Sequence, residues 1–126
     1  VPDDYSDSSE CRYFTPVAGA FVGLAFMTSD RKVTRVDVGA FEDTRGVELI
    51  ETSLGAKIGD PEARVLKLYH GQTKVGPHFY GGLPDHYIRV FDTKGVTRMI
   101  FETRDGRISS FRSGLPTEVE YVEGCT

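Results

Sequence analysis

The sequence predicts an α+β fold: an antiparallel β-sheet of hairpins in a meander, with one main helix packed on one face. Three observations carry this expectation. The stretch 55–71, GAKIGDPEARVLKLYHG, has the start, period and stop of one short amphipathic helix. The segments on either side alternate apolar and polar residues, the period of a strand with one face buried. Those segments are separated by Asp- and Gly-containing turns, which favour hairpins.

Residues 1–10 are rich in Asp and Ser and read as a flexible acidic N-terminus, leaving residues 11–126 as a single domain. Residues 11–17, CRYFTPV, read as a first strand, with Pro16 confining it to an edge or to its own end. Residues 19–28 read as a second strand, and Ser29 to Lys32 as a hairpin turn. In the third strand, 32–38, Val33, Val36 and Val38 alternate with Lys32, Arg35 and Asp37, and Thr34 sits on the inner face. A polar loop, 39–46, leads to a short apolar run at 47–50 (strand or helical turn), a brief helical turn at 52–55 and a linker at 56–59 in which Ile58 can staple the helix start.

The helix is expected over 61–70. Asp60 suits the cap, because its carboxylate can accept an N–H of the first turn. Pro61 needs no N–H at the first helical position, and Glu62 complements the positive end of the dipole. Val65, Leu66, Leu68 and Tyr69 give an apolar face, and Gly71 can adopt the left-handed conformation that ends a helix. Too short to be stable alone, this helix needs a sheet to pack on. A Gly/Pro-rich loop, 72–85, follows. Strands are then expected at 86–91, 96–103, 108–112 and about 119–122, with turns at Asp92 to Gly95 and Arg104 to Gly106.

At 126 residues, with 39% hydrophobic and 27% charged residues, the composition is that of a globular domain with a real core. No run approaches the roughly 20 apolar residues of a membrane-spanning helix. The chain opens on Val1 with no leader, which reads as a processed product. Net charge is −4, which argues against nucleic-acid binding. Acidic residues gather at the two ends: Asp3, Asp4, Asp7 and Glu10 before the first cysteine, Glu118, Glu120 and Glu123 before the second. Such clusters are ordinarily solvated; read more sharply, they form a negative patch that steers a basic partner.

The two cysteines, Cys11 and Cys125, stand almost at the chain ends. An even count in a small domain points to one disulfide and an oxidising setting, hence a periplasmic or secreted protein. Closing nearly the whole chain, the bond would contribute about 4–5 kcal/mol in the chain-entropy model. Two buried free thiols are the alternative. No His or Cys pairing at metal spacing supports a zinc site, and no cofactor motif is present.

Two segments resemble each other: 24–39, LAFMTSDRKVTRVDVG, and 99–114, MIFETRDGRISSFRSG. Phe26 matches Phe101, Thr28 matches Thr103, Asp30 matches Asp105 and Gly39 matches Gly114, all at an offset of 75 residues. Two unrelated hairpins with an Asp turn would share part of this pattern. As an internal repeat, it makes a unit of helix followed by hairpin, with the helix lost from the first copy.

The run I-G-D-P-E-A-x-V-x-x-L-Y-x-G, followed by F-E-T-x-D-G-R-I-x-S, resembles the small outer-membrane assembly lipoproteins of the SmpA/OmlA type. It is also similar to the β-lactamase inhibitory protein family, which is built of two tandem repeats of about this length. The resemblance spans roughly 52–112 and implies a helix-loop-helix packed on a curved antiparallel sheet, a β-lactamase inhibitory protein-like fold. The opening E-C-R-Y and closing E-Y-V-E-G-C look like the ends of small secreted bacterial proteins. The chain lacks the lipidation Cys of the lipoproteins at its first position, and no inhibitory contact residue carries over.

No nucleophile–base motif, metalloprotease motif or phosphate loop occurs. His78, Asp85 and His86 flank an aromatic loop and are the candidates for a small enzyme, but adjacent strand residues such as Asp85 and His86 point to opposite faces. Asp92 and Asp105 sit where turns call for Asp. As a contact surface, the loop is more informative: His78, Phe79, Tyr80, Asp85 and Tyr87 on a Gly/Pro frame are the expected partner-binding residues. The sequence thus reads as a non-catalytic protein-binding domain, an inhibitor or immunity protein against a basic envelope enzyme. An envelope assembly factor is the alternative.

Overall fold

Most of the expected alternating segments become strands of one antiparallel sheet. The computed structural model describes residues 11–15, 23–40, 46–78 and 85–121. Among the described residues, the strands are β1 (Cys11–Phe14), β2 (Leu24–Ser29), β3 (Lys32–Val38), β4 (Thr73–Pro77), β5 (His86–Phe91), β6 (Arg98–Arg104) and β7 (Arg107–Gly114), and the one α-helix, α1, is Glu62–Leu68. All seven strands join one sheet in the order β1-β2-β3-β7-β6-β5-β4. Every neighbouring pair is antiparallel, and β3 meets β7 at the centre, so the two hairpins lie side by side. No helix among the described residues is long and apolar enough to cross a membrane.

The helix lies where expected but is shorter, and its start differs. Pro61, in extended conformation, is the residue before the first turn, and no side chain caps that turn. The Asp60 carboxylate instead accepts the Lys57 N–H at 3.0 Å and an N–H of Arg64 Nη1 at 2.8 Å. The reason is that the segment ahead of the helix is tied to β7: the Ile108 N–H donates to Asp60 O, the Gly59 N–H donates to Ile108 O, and Pro61 bridges Arg107. Gly71 has φ +84, the left-handed turn that stops α1.

Val65 and Tyr69 of α1 are buried against Val38, Ile88, Val90, Phe101, Ile108 and Phe111, with Val47 and Ala56 closing the same core. Phe101 is its centre, with ring centroids 6.0 Å from Tyr69 and 5.3 Å from Phe111. Removing such a side chain from water contributes about 1.5–3 kcal/mol. Ile58 packs at the margin of the core, as a staple would.

Three elements differ from the sequence reading. Residues 73–77, expected in a loop, form β4, because an edge strand tolerates Gly76 and Pro77 while pairing with β5 on its other side. The expected last strand is a 3-10 turn, Glu118–Glu120, whose Val119 is buried; Val122 lies outside the described residues. The run after residue 46, which the sequence leaves open between strand and helical turn, is a 3-10 turn, Val47–Leu49. Residues 52–55 are a tight turn closed by the Glu51 and Lys57 bridge rather than a helical turn.

The two hairpins carry the same register at the offset of 75. Phe26 pairs with Val36 as Phe101 pairs with Phe111, Ala25 with Asp37 as Ile100 with Arg112, and Thr28 with Val33 as Thr103 with Ile108. Both ladders shift at the same place, after Met27 and after Glu102. At that bulge, the Thr34 hydroxyl donates to Met27 O and the Ser109 hydroxyl to Glu102 O. Both turns hold two left-handed residues, Asp30 and Arg31 in one, Asp105 and Gly106 in the other.

Candidate functional site

The alternation of β3 suggests Arg35 and Asp37 on a solvated face, yet they are 4% and 1% exposed. The sheet is covered on both sides. Its second face carries Tyr13 from β1, Arg35 and Asp37 from β3, Arg112 from β7, Arg98 and Glu102 from β6, and Tyr87 and Arg89 from β5. The residues 115–121 lie over it.

This face is held by charge-assisted hydrogen bonds. Arg35 Nε and Nη2 bind the Asp37 carboxylate at 2.9–3.1 Å, and the Tyr13 hydroxyl donates to Asp37 Oδ2 at 3.1 Å. Arg35 Nη1 reaches on to Glu118 O at 2.9 Å and Tyr121 O at 2.6 Å, while Arg112 Nε donates to Val119 O at 2.7 Å. Two arginines therefore satisfy the carbonyls of the 3-10 turn and fasten it to the sheet. Val119 fills the gap beneath, against Tyr87 and Ile100. Glu120, read from sequence as part of a steering patch, binds Arg89 at 2.9–3.2 Å and Arg98 at 2.7 Å.

The environment moves three titrating groups. Burial and the neighbouring Asp37 carboxylate push the Tyr13 hydroxyl up to about 12. Burial acts to raise Glu120, but its hydrogen bonds to Arg89 and Arg98 and their charges outweigh that and hold it below its ordinary value. The bond to Glu120 raises Arg89 further.

The residues singled out around the aromatic loop separate. His78 lies on the arginine face, its Nε2 2.8 Å from Glu102 Oε1 and its ring 4.6 Å from that of Tyr87. Glu102 also binds Arg112. His86 points to the helix face, where Nδ1 lies 3.0 Å from both Glu62 carboxylate oxygens. The sheet stands between the two histidines, so His78, Asp85 and His86 do not converge. Tyr87, expected on the contact surface, is 4% exposed, because the alternation of β5 turns it under Val119 and beside Arg89 and Arg112. Asp85 accepts the Asp105 N–H on its carboxylate at 3.1 Å, and its carbonyl accepts the His78 N–H at 3.1 Å. Those contacts fix both feet of the loop between β4 and β5. Phe79 and Tyr80, the remaining expected contact residues, lie outside the described residues, as does Cys125. Cys11 is not a free thiol. Among the described residues, no three His, Cys, Asp or Glu side chains are grouped as metal ligands.

The ionic face was the feature that sequence reading missed. Its signal was present: Arg35 and Asp37 at i and i+2 in β3, Arg98 and Glu102 at i and i+4 in β6, and Asp37 one repeat offset from Arg112. Comparison with known protein families, with curated proteins and with solved structures returned no match.

Proposed function

We propose that the chain is a non-catalytic protein-binding domain that works outside the cytoplasm and presents the loop 79–84 to a partner protein. The observation that carries this reading is the anchoring of that loop. His78 is bonded at its backbone to Asp85 and at its ring to Glu102, and Asp85 is bonded to the turn at Asp105. Binding residues are commonly displayed in this way, on loops whose feet are set by a rigid scaffold. In the version argued most fully, the partner is a basic envelope enzyme such as a cell-wall hydrolase, and the chain is its inhibitor or immunity protein. The net charge of −4 supports it, as does the resemblance to the β-lactamase inhibitory protein family.

The test is a pull-down from periplasmic extract on immobilised protein. Retention of a basic protein at low salt, weakened at high salt, is the expected result. No protein retained at low salt would reject the inhibitor version. A deletion strain whose outer membrane leaks would favour an assembly role instead.

The reading includes a disulfide between Cys11 and Cys125. Intact mass should rise by two hydrogens on reduction, and equal masses would refute the bond.

A further inference from the structure

We propose that the open end of β3, at Lys32 and Val33, is a second docking site, which accepts an extended, carboxylate-bearing segment of a partner polypeptide as an added strand. It lies at the opposite end of the sheet from Asp85 and the Asp105 turn, since β3 and β7 run antiparallel and their turns point apart. It stands independently of the function proposed above.

The second hairpin fills the equivalent place with another segment of the chain. Ser29 and Lys32 close the first turn as a hydrogen-bonded pair, so the next pair, Thr28 with Val33, is of the non-bonded kind and the Val33 N–H and C=O point away from β2. In the second hairpin, the matching pair is Thr103 with Ile108. There, the Ile108 N–H donates to Asp60 O and the Gly59 N–H to Ile108 O, both at 2.9 Å, and Arg107 Nη1 donates to Gly59 O at 2.8 Å. The segment Gly59 to Pro61 thus adds a short antiparallel strand to β7, and α1 continues from it over Phe101.

The first hairpin has the same socket without that occupant. Among the described residues, nothing bonds to the outward groups of Val33. Its side chain is 60% exposed, where that of Ile108 is 1% exposed. Phe26 and Thr28 are half-buried, where their counterparts Phe101 and Thr103 are closed over. Lys32 takes the place of Arg107 and is poised to reach a carbonyl of an added strand. Arg31 beside it replaces Gly106, so the site presents two cations and favours a segment bearing carboxylates. The occupant of the second socket shows the form of ligand that fits: a few extended residues running antiparallel to β3, then a helical turn.

Two peptides probe the site: one reproducing residues 56–70, and an acidic version with K57E, R64E and K67E. Each is titrated into the full-length, isotopically labelled protein at low salt, and backbone amide shifts are followed. The expected result is saturable shifts centred on Lys32 and Val33, several-fold tighter for the acidic peptide. Binding should weaken at least tenfold in the Arg31→Glu, Lys32→Glu double variant and be unchanged in Lys94→Glu. The variant's own amide spectrum reports that its hairpin is intact. No saturable shift at these residues, or binding indifferent to the charge reversal, overturns the proposal. A Val33 amide protected from exchange in the free protein overturns it in favour of a segment of the chain itself, and shifts that grow with protein concentration alone overturn it in favour of a second copy.

Discussion

Asp37 stands directly across the central seam of the sheet from Arg112, the residue 75 positions later that matches it in the second hairpin. Flanking pairs obey the same rule: Val36 faces Ser113, and Val38 faces Phe111. Swapping each residue for its counterpart maps one of these pairs on the other. A local two-fold axis therefore passes between Asp37 and Arg112, and the acid on one side meets a base on the other. Neither is exchangeable for its counterpart, because each has a different partner: Asp37 holds Arg35, and Arg112 holds Glu102.

Replacing Asp37 with Ala should be among the most damaging single changes. It strands the Arg35 guanidinium at a site only 4% exposed, and breaking a buried pair on one side costs about 3–5 kcal/mol. Urea unfolding measures the loss. The double change Arg35→Met, Asp37→Leu should be less harmful than Asp37→Ala alone, since it leaves no unpaired charge. An equal or larger loss would show that the Arg35 bonds to the Glu118 and Tyr121 carbonyls matter more than the ion pair.

Gly114 should not accept a side chain. A Cβ there would lie 2.3 Å from Thr34 O and 2.8 Å from Arg35 Cα, both backbone atoms that cannot step aside without moving β3. Gly114→Ala should cost about 1–3 kcal/mol in thermal or urea unfolding. Gly76→Ala provides the contrast, because the nearest atom is the flexible end of Arg89 at 3.7 Å, and its cost should be within about 1 kcal/mol.

Arg31→Gly should stabilise the protein. Arg31 is held at φ +68, a region that costs an ordinary residue about 1–2 kcal/mol, and the change recreates the Asp-Gly turn of the second hairpin. A gain of about 1 kcal/mol is expected from the shift of the unfolding midpoint. The reciprocal Gly106→Arg should lose a similar amount.

The pH dependence has two limbs. Tyr13 is raised from 10.0 to about 12, so the folded form resists ionisation that the unfolded form undergoes. Its contribution is complete below about pH 10 and is lost as pH climbs through about 12. Glu120 is lowered, so its contribution is present above its ordinary value of 4.5 and fades as pH falls below it. Alkaline difference absorbance should show a late-ionising tyrosine that is lost in Tyr13→Phe and ionises earlier in Asp37→Asn. Glu120→Gln should flatten the acid limb of the stability curve; an unchanged limb would remove Glu120 from the account.

Local sequence was enough to determine most of the strands with regular alternation, the presence of the helix, and both Asp turns. Each of these follows from forces within a few residues: the period of apolar side chains, the fixed φ of Pro61 and the freedom of Gly71. The tertiary structure decided what lies opposite what. It made a strand of residues 73–77 although Gly76 and Pro77 favour a loop, because pairing with β5 outweighs local preference. It covered the polar side of β3 with the 3-10 turn at 118–120, turning apparently solvated charges into a buried network. It also sent His78 and His86, eight positions apart, to opposite faces. Their positions in the chain give no hint of this, because the facing of a strand residue is fixed only when the register of its neighbours is set.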